Sequence, residues 1–368
     1  MKELLKWLER VKDIRQQWKV DHLMSDIIAL VYFAMLANAS EWTEIYYFGI
    51  THEQYLRKYL QLPCGIPSHD TIQRVFAMVS PEFLQKFHLK WNEVMSSDEG
   101  EKIKKILSLD GKTQRGNGCG GVKGNHIVSA VDEKGFCLSE RLVEEKSNEI
   151  TAIPHILDDL NIRGHIITAD AMGTQREIVK KIRNKRADYV LALKGNQGTL
   201  HEDVKMYFED PALLSACAYT KTVEKARGVI ETREYWQTDD LSWLSQKKDW
   251  AGLQTVAMTR NTVVNNGETK TEQRYFISSL PVGVEEIARA IRGHWMVESY
   301  HWHLDVTFRE DANHTIDKQA AYNLNIIRKL AINTLRLLDM GIKNVSLKGK
   351  RFIIGCNPKK YIDMLMAL

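Results

Sequence analysis

The spacing of apolar positions divides the chain into three textures. Over residues 1–98 they recur three and four apart, so SDIIALVYFAMLANA, HEQYLRKYL, SHDTIQRVFAMV and PEFLQKFHLKWNEVM each predict a helix with a buried face. Ser25 and Ser68 suit N-caps, and Pro81 suits a first turn. The run IIALVYFAMLANA at 27–39 is too short to cross a bilayer and predicts a buried helix. GIPSHDTIQRVF reads as a turn feeding a second helix, as in a helix-turn-helix unit, although such pairs also occur in helical domains with no DNA role. SSDEGEK at 96–102 is a polar break and the best domain boundary.

After the break the texture changes. KKILSLD, NHIVSAVD and FCLSERLVEE predict three consecutive strands. EKSNEITAIPHILDDL then predicts a helix, HIITAD a strand, TQREIVKKIRNKR a helix and YVLALKG a strand. The order βββαβαβ is that of a ribonuclease-H-like α/β fold with a mixed sheet, whose first and fourth strands lie side by side. From 200 to 283, YTKTVEKARGVIETREYWQT, LQTVAMTRNTVV and TKTEQRYFISSL alternate in a two-residue rhythm, as in an antiparallel sheet. EEIARAIRGHWMVESYHWHLDVTF then returns to helical spacing. The expected organisation is a helical domain at 1–98, a first part of the core at 99–199 and a β-rich insertion at 200–283. Closing core helices at 284–340 and a basic tail at 341–368 complete it.

Composition changes this picture little. Hydrophobic content of 44% and charged content of 27% over 368 residues describe an ordinary globular protein. The five cysteines form no CxxC pair, which argues against a zinc site or a disulfide framework and for a reducing cytoplasm. The charged N-terminus has no apolar signal core, and no membrane association is expected. Net charge is only +4, but its distribution is uneven. From Ile326 to Lys360 nine Lys/Arg face one acid, Asp339, and from Arg176 to Lys194 seven bases face two acids. A phosphate backbone would need such neutralisation, whereas a solvated face is the plainer reading of either cluster alone.

The candidate chemistry rests on three carboxylates: Asp110 in ILSLDGKTQRG, Asp170 in HIITADAMGTQ and Glu298 in HWMVESYHWHLDV. Each aspartate ends an apolar run, where a buried strand delivers its last residue to an open sheet edge. Acids converging from two strand ends and a helix make an oxygen cage for hard divalent cations. Two ions, Mg²⁺ or substituting Mn²⁺, would stabilise the attacking and leaving oxygens of a phosphodiester displacement and activate water for it. His294, His301, Trp302 and Asp305 share the helical face of Glu298. His301 and Asp305 are candidates for supporting the site, Asp305 equally for a structural ion pair, while His294 is expected to pack against the insertion. Candidate DNA contacts are Lys112 and Arg115 in the glycine-bounded loop GKTQRGNGCGG, and Lys194, Asn196 and Gln197 after the last core strand. Lys348, Lys350 and Arg351 in the tail join them.

The chain resembles the H-repeat-associated transposases, a bacterial insertion-sequence family of the DDE superfamily. GIPSHDTIQRVF, LSLDGKTQRG, EKSNEITAIP, ITADAMGTQ, LALKGNQG and HWMVESYHWHLDVTFRED carry the resemblance, in order and over nearly the whole chain. It implies a ribonuclease-H-like core, divalent metal and DNA transposition, with Asp110, Asp170 and Glu298 as catalytic acids. Double-stranded DNA, as element ends and as target, would be the partner of a homodimer at the bacterial nucleoid. Related transposases with a β insertion often have Arg four residues before the glutamate and Lys seven after. Here His294 and Asp305 stand there, so those roles do not carry over. Two other readings are a metal-dependent nuclease without strand transfer and a catalytically silent DNA-binding descendant.

Overall fold

Side-chain alternation along the strands determines what meets on each side of the sheet. The computed structural model describes residues 2–95, 105–118, 120–143 and 148–367. The SSDEGEK break and residues 145–147 of EKSNEITAIP fall outside them. Five helices come first: α1 (Lys2–Leu8), α2 (Met24–Leu36), α3 (Trp42–Leu56), α4 (His69–Met78) and α5 (Pro81–Met95). Then follow β1 (Ile106–Thr113), β2 (His126–Asp132), β3 (Cys137–Leu142), α6 (Glu149–Asp159), β4 (Ile166–Ala169), α7 (Arg176–Asn184) and β5 (Asp188–Leu193). This is the expected βββαβαβ order. The inserted stretch comprises α8 (Thr199–Glu209), α9 (Pro211–Ala216), β6 (Ala218–Ala226), β7 (Val229–Thr238), β8 (Thr255–Asn265) and β9 (Glu268–Ser278). The chain closes with α10 (Val284–Trp302), α11 (Lys318–Leu337), α12 (Leu347–Cys356) and α13 (Pro358–Ala367).

The strands form one mixed sheet of order β3-β2-β1-β4-β5-β9-β8-β7-β6. β1 and β4 are parallel neighbours, registered to Leu109 opposite Ala169. Leu107, Leu109, Ile167 and Ala169 pack on one face with α6 and α7. Ile106 and Ile166 face the other way, toward Ile287 and Ala290 of α10. Because successive side chains point to opposite faces, Asp110 and Asp170 are directed to the α10 side. Gly293 lets that helix lie close, since a Cβ there would stand 3.0 Å from Ile106 Cδ1.

Several expectations change. β1 does not end at Asp110 but runs to Thr113 against β2. The insertion begins with two helices and is not a separate sheet, because β9 pairs antiparallel with β5. Ser68 caps α4, accepting from Thr71 N, but α2 starts after Leu23, which leaves Ser25 in its first turn. The connection from α3 to α4 spans 57–68, longer than the short turn of a helix-turn-helix. The N-terminal helices have no core of their own. Phe33, Phe76 and Trp91 join one cluster with Ile327, Leu330 and Leu335 of α11, which passes through the middle of the helical layer.

The basic tail is not a loose stretch. α12 and α13 pack onto the helical layer, and Arg351 is 1% exposed. Its guanidinium donates to the carbonyls of Met35 (3.0 Å), Ala39 (2.7 Å) and Thr307. Lys350 Nζ donates to the carbonyls of Leu335 and Leu338, both at 2.6 Å. These two cations satisfy helix-end carbonyls that would otherwise lack donors. Arg351 is thus shut away from solvent and Lys350 is half-buried, while Lys348 alone of that trio is exposed.

Candidate active site

Alternation, strand pairing and the close approach of α10 bring Asp110, Asp170 and Glu298 to one cleft of about 500 Å³. Lys194, Arg274, His294 and Trp295 line it too. Asp170 Oδ1 accepts from the backbone N–H of Met172 (2.9 Å) and Gly173 (3.3 Å), which aims the carboxyl. Asp110 Oδ2 lies 3.5 Å from His301 Nδ1. Burial pushes the Asp110 carboxyl up, but His301 and the charge of His294 outweigh it, and its pKa is lowered. Burial raises the Glu298 carboxyl, Arg274 opposes this, and the negative charge of Asp110 adds to it.

Glu298 has no hydrogen bond or ion pair among the described residues. Three acidic groups facing one cleft make an attractor for a small cation, and hard oxygen donors select Mg²⁺ or Mn²⁺ over softer metals. The donor set thus fits a divalent ion. A different cluster, His88, Cys137 and Glu140, also has ligand atoms within 4.8 Å of one another. It fits a metal poorly. Asn333 Nδ2 donates to His88 Nε2, which places the ring proton on Nδ1, 2.9 Å from Glu140. The buried ammonium of Lys329, 4.0 Å from Glu140, already balances the carboxylate.

The structure separates the other candidates. His301 is brought to Asp110. Asp305 is not turned to the acids but pairs with Lys112, Nζ to Oδ1 2.7 Å. Lys112 is 10% exposed and also meets Asp311 (3.0 Å) and Glu310 (3.2 Å), so its charge is spent inside the protein rather than on phosphate. The glycine-bounded loop is stapled down by Gln114 to Glu310 and by Asn117 to Thr315. Arg115 projects from it, 86% exposed. The amides of Asn196 and Gln197 donate to the carbonyls of Ala171 and Thr174 (2.7 and 2.6 Å), which ties the loop to the segment after β4. Lys194 stays exposed at the cleft. The basic helix α7 is largely neutralised: Lys181 pairs with Asp158, Arg183 with Asp188 and Arg176 with Asp249.

Sequence reasoning undervalued four residues. His294 Nδ1 lies 3.0 Å from Thr168 Oγ1 of β4, on the sheet face that carries the acids. Burial lowers its pKa, opposed by Asp110 and Asp170. Trp295, 42% exposed, carries the guanidinium groups of Arg292 and Arg274 within 5.6 and 5.8 Å of its ring centroid. Alternation could have found Arg274, which shares its strand face with Phe276, a residue packed toward α10.

Residues 101–334 match the family described as Transposase DDE domain, and residues 5–92 match that described as DDE_Tnp_1-associated. The chain belongs to the DDE transposases. It is 38% identical to the "Putative transposase YncI" of Escherichia coli O157:H7, over 100% of this chain and 95% of that protein. The "H repeat-associated putative transposase YhhI" of Escherichia coli (strain K12) is 36% identical over 91% of this chain and 90% of its own. A shorter relative, "Inactive transposase YbfQ" of the same strain, is 43% identical over 20% of this chain and 89% of its own length. As a transposase, this protein is a DNA-processing enzyme of the H-repeat-associated group. Among the described residues no helix is long and apolar enough to cross a membrane.

Proposed function

We propose that this transposase binds the inverted-repeat ends of its own element, hydrolyses a phosphodiester there and joins the freed 3′-OH to target DNA. The observation that carries the reading is the convergence of three carboxylates from β1, the end of β4 and α10 on one cleft. Asp110, Asp170 and Glu298 would hold Mg²⁺, with Mn²⁺ as substitute; two such ions stabilise charge on the entering and departing oxygens. His301 orients Asp110, and His294 packs over β4 through Thr168. Water adds to phosphorus as the P–O3′ bond breaks, leaving a 3′-OH. That hydroxyl then attacks a target phosphodiester, one P–O bond forming as another breaks. Two copies acting together would bring both element ends to one target, in the bacterial cytoplasm at the nucleoid.

The deciding assay incubates purified protein and Mg²⁺ with DNA carrying the repeats that flank its gene, plus a target plasmid. Joined products are expected. Cleavage without joining would identify a nuclease, and binding without either a silent descendant.

Exposed cations mark the DNA track. Arg292 and Lys194 make no side-chain hydrogen bond or close ion pair among the described residues, although Lys194 acts at longer range on Glu272, and Arg115 is held only loosely, 3.9 Å from Asp311. Changing all three to Gln is expected to weaken binding to repeat and non-repeat DNA alike. The slope of log K against log salt should flatten by about 0.9 for each phosphate that the variant no longer neutralises. An unchanged slope would place the DNA elsewhere.

A further inference from the structure

Asp110 and Lys112 are two residues apart on β1, so both side chains leave the sheet on the face covered by α10. Beyond Leu109 the strand no longer has β4 as a neighbour and keeps only β2, on its other flank. Its contact with the segment after Glu298 is electrostatic. α10 does not stop at Trp302 but widens into a π-turn, His303–Thr307, a rare geometry that often accompanies functional sites. Asp305 lies in that turn, seven residues after Glu298, and its carboxylate meets Lys112 at 2.7 Å. The lysine is also held by Asp311 and Glu310, and Glu310 is itself bound by Asn325 (2.7 Å) and Arg328 (3.4 Å). Three acids thus surround the ammonium and keep it from swinging out to solvent, while Arg328 shares Glu310 and Arg115 stands 3.9 Å from Asp311.

We propose that Lys112 and Asp305 are positioning residues: a latch between β1 and the π-turn that sets how Asp110 and Glu298 face each other across the cleft. The inference rests on those acids binding metal, as proposed above. Neither latch residue touches the ion or the DNA. Each acts through a neighbour on its own element, two residues from Asp110 or seven from Glu298. Groups that orient the side chains around a metal, without binding it, commonly change its affinity about 10–100-fold when removed.

The test titrates the full-length protein with Mn²⁺ alone, reading the free ion by electron paramagnetic resonance, so that no DNA step enters. Lys112→Met and Asp305→Asn are each expected to weaken Mn²⁺ binding about tenfold or more. Lys112→Arg, which keeps a cation there, should bind close to wild type. In cleavage assays kcat should fall with KM for DNA unchanged. Asp305→Asn keeps the shape of the turn and leaves Lys112 paired with Glu310 and Asp311, so it carries the test if Lys112→Met does not fold. Asp110→Asn is the reference. If Asp110→Asn loses Mn²⁺ while Asp305→Asn and Lys112→Met bind it as wild type, with only a lower Tm, the latch is a plain structural ion pair and the proposal is overturned. If Asp110→Asn itself binds Mn²⁺ as wild type, the metal reading of the cleft fails, and the latch fails with it.

Discussion

Asp110→Asn, Asp170→Asn and Glu298→Gln should each lose DNA cleavage by about a thousandfold or more while retaining DNA binding. A bound divalent ion contributes several kcal/mol of charge stabilisation to phosphoryl displacement, and about 4 kcal/mol corresponds to a thousandfold in rate. The amides are nearly isosteric, so they remove a charge and a strong oxygen donor without disturbing the strand pairing of β1 with β4. Affinity for DNA should be retained or rise slightly, because the exposed cations Lys194, Arg292 and Arg115 attract phosphate and the lost acid repels it. Single-turnover cleavage and gel-shift assays on the same preparations separate the two effects. A variant that cleaves at the wild-type rate takes its residue out of the proposed site. The test is sharpest for Glu298, which has no side-chain hydrogen bond or ion pair among the described residues.

The positions of the three acids were legible in the sequence for a simple reason. Two apolar runs ending in Asp, with a βββαβ order between them, force parallel neighbours to present those residues at one sheet edge, and β1 and β4 do so. Helical spacing likewise placed His301 on the face of Glu298, and the structure brings it to Asp110. Charge was the misleading signal. Counting Lys and Arg from Ile326 to Lys360 suggests a phosphate-binding surface, but a count carries no distances. Arg328, Lys329 and Arg351 are each 1% exposed, held by Glu310, Glu140 and helix-end carbonyls that lie up to 316 residues away in the chain. The ion pairing of Lys112 was hidden in the same way, its partner Asp305 being remote in sequence. The sheet was under-read for a related reason. Alternation identifies a strand but not its neighbour, so nothing local in TKTEQRYFISSL showed that its second half, Tyr275–Ser278, would pair with Val190–Leu193 of β5.

The buried ion pairs make a second strong prediction. Glu310 and Arg328 are both 1% exposed, and Arg328 has Glu310 as its carboxylate partner at 3.4 Å, with two of its nitrogens lacking any hydrogen bond. Glu310→Leu strands that guanidinium in an apolar helical layer and should destabilise the protein by roughly 3–5 kcal/mol in urea denaturation. Adding Arg328→Met should recover most of the loss, because a buried pair replaced by apolar groups of similar volume is often near neutral. The same pair predicts acid sensitivity. Burial alone would raise the Glu310 carboxyl, but Arg328 and Lys112 overcome it and hold its pKa at about 2; His88 and Lys329 do the same for Glu140. A carboxyl whose folded pKa lies below its unfolded value, about 4.3, binds more protons when unfolded. Its stabilising contribution is therefore complete above the unfolded value and is lost as pH falls toward about 2. Wild-type stability should drop steeply between about pH 4.5 and about pH 2. The Glu310→Leu, Arg328→Met protein should show a shallower drop, since only Glu140 remains to titrate of the two. Equal slopes in wild type and double variant would show that Glu310 is not charged in the folded protein, and that its pairing with Arg328 is not what drives acid unfolding.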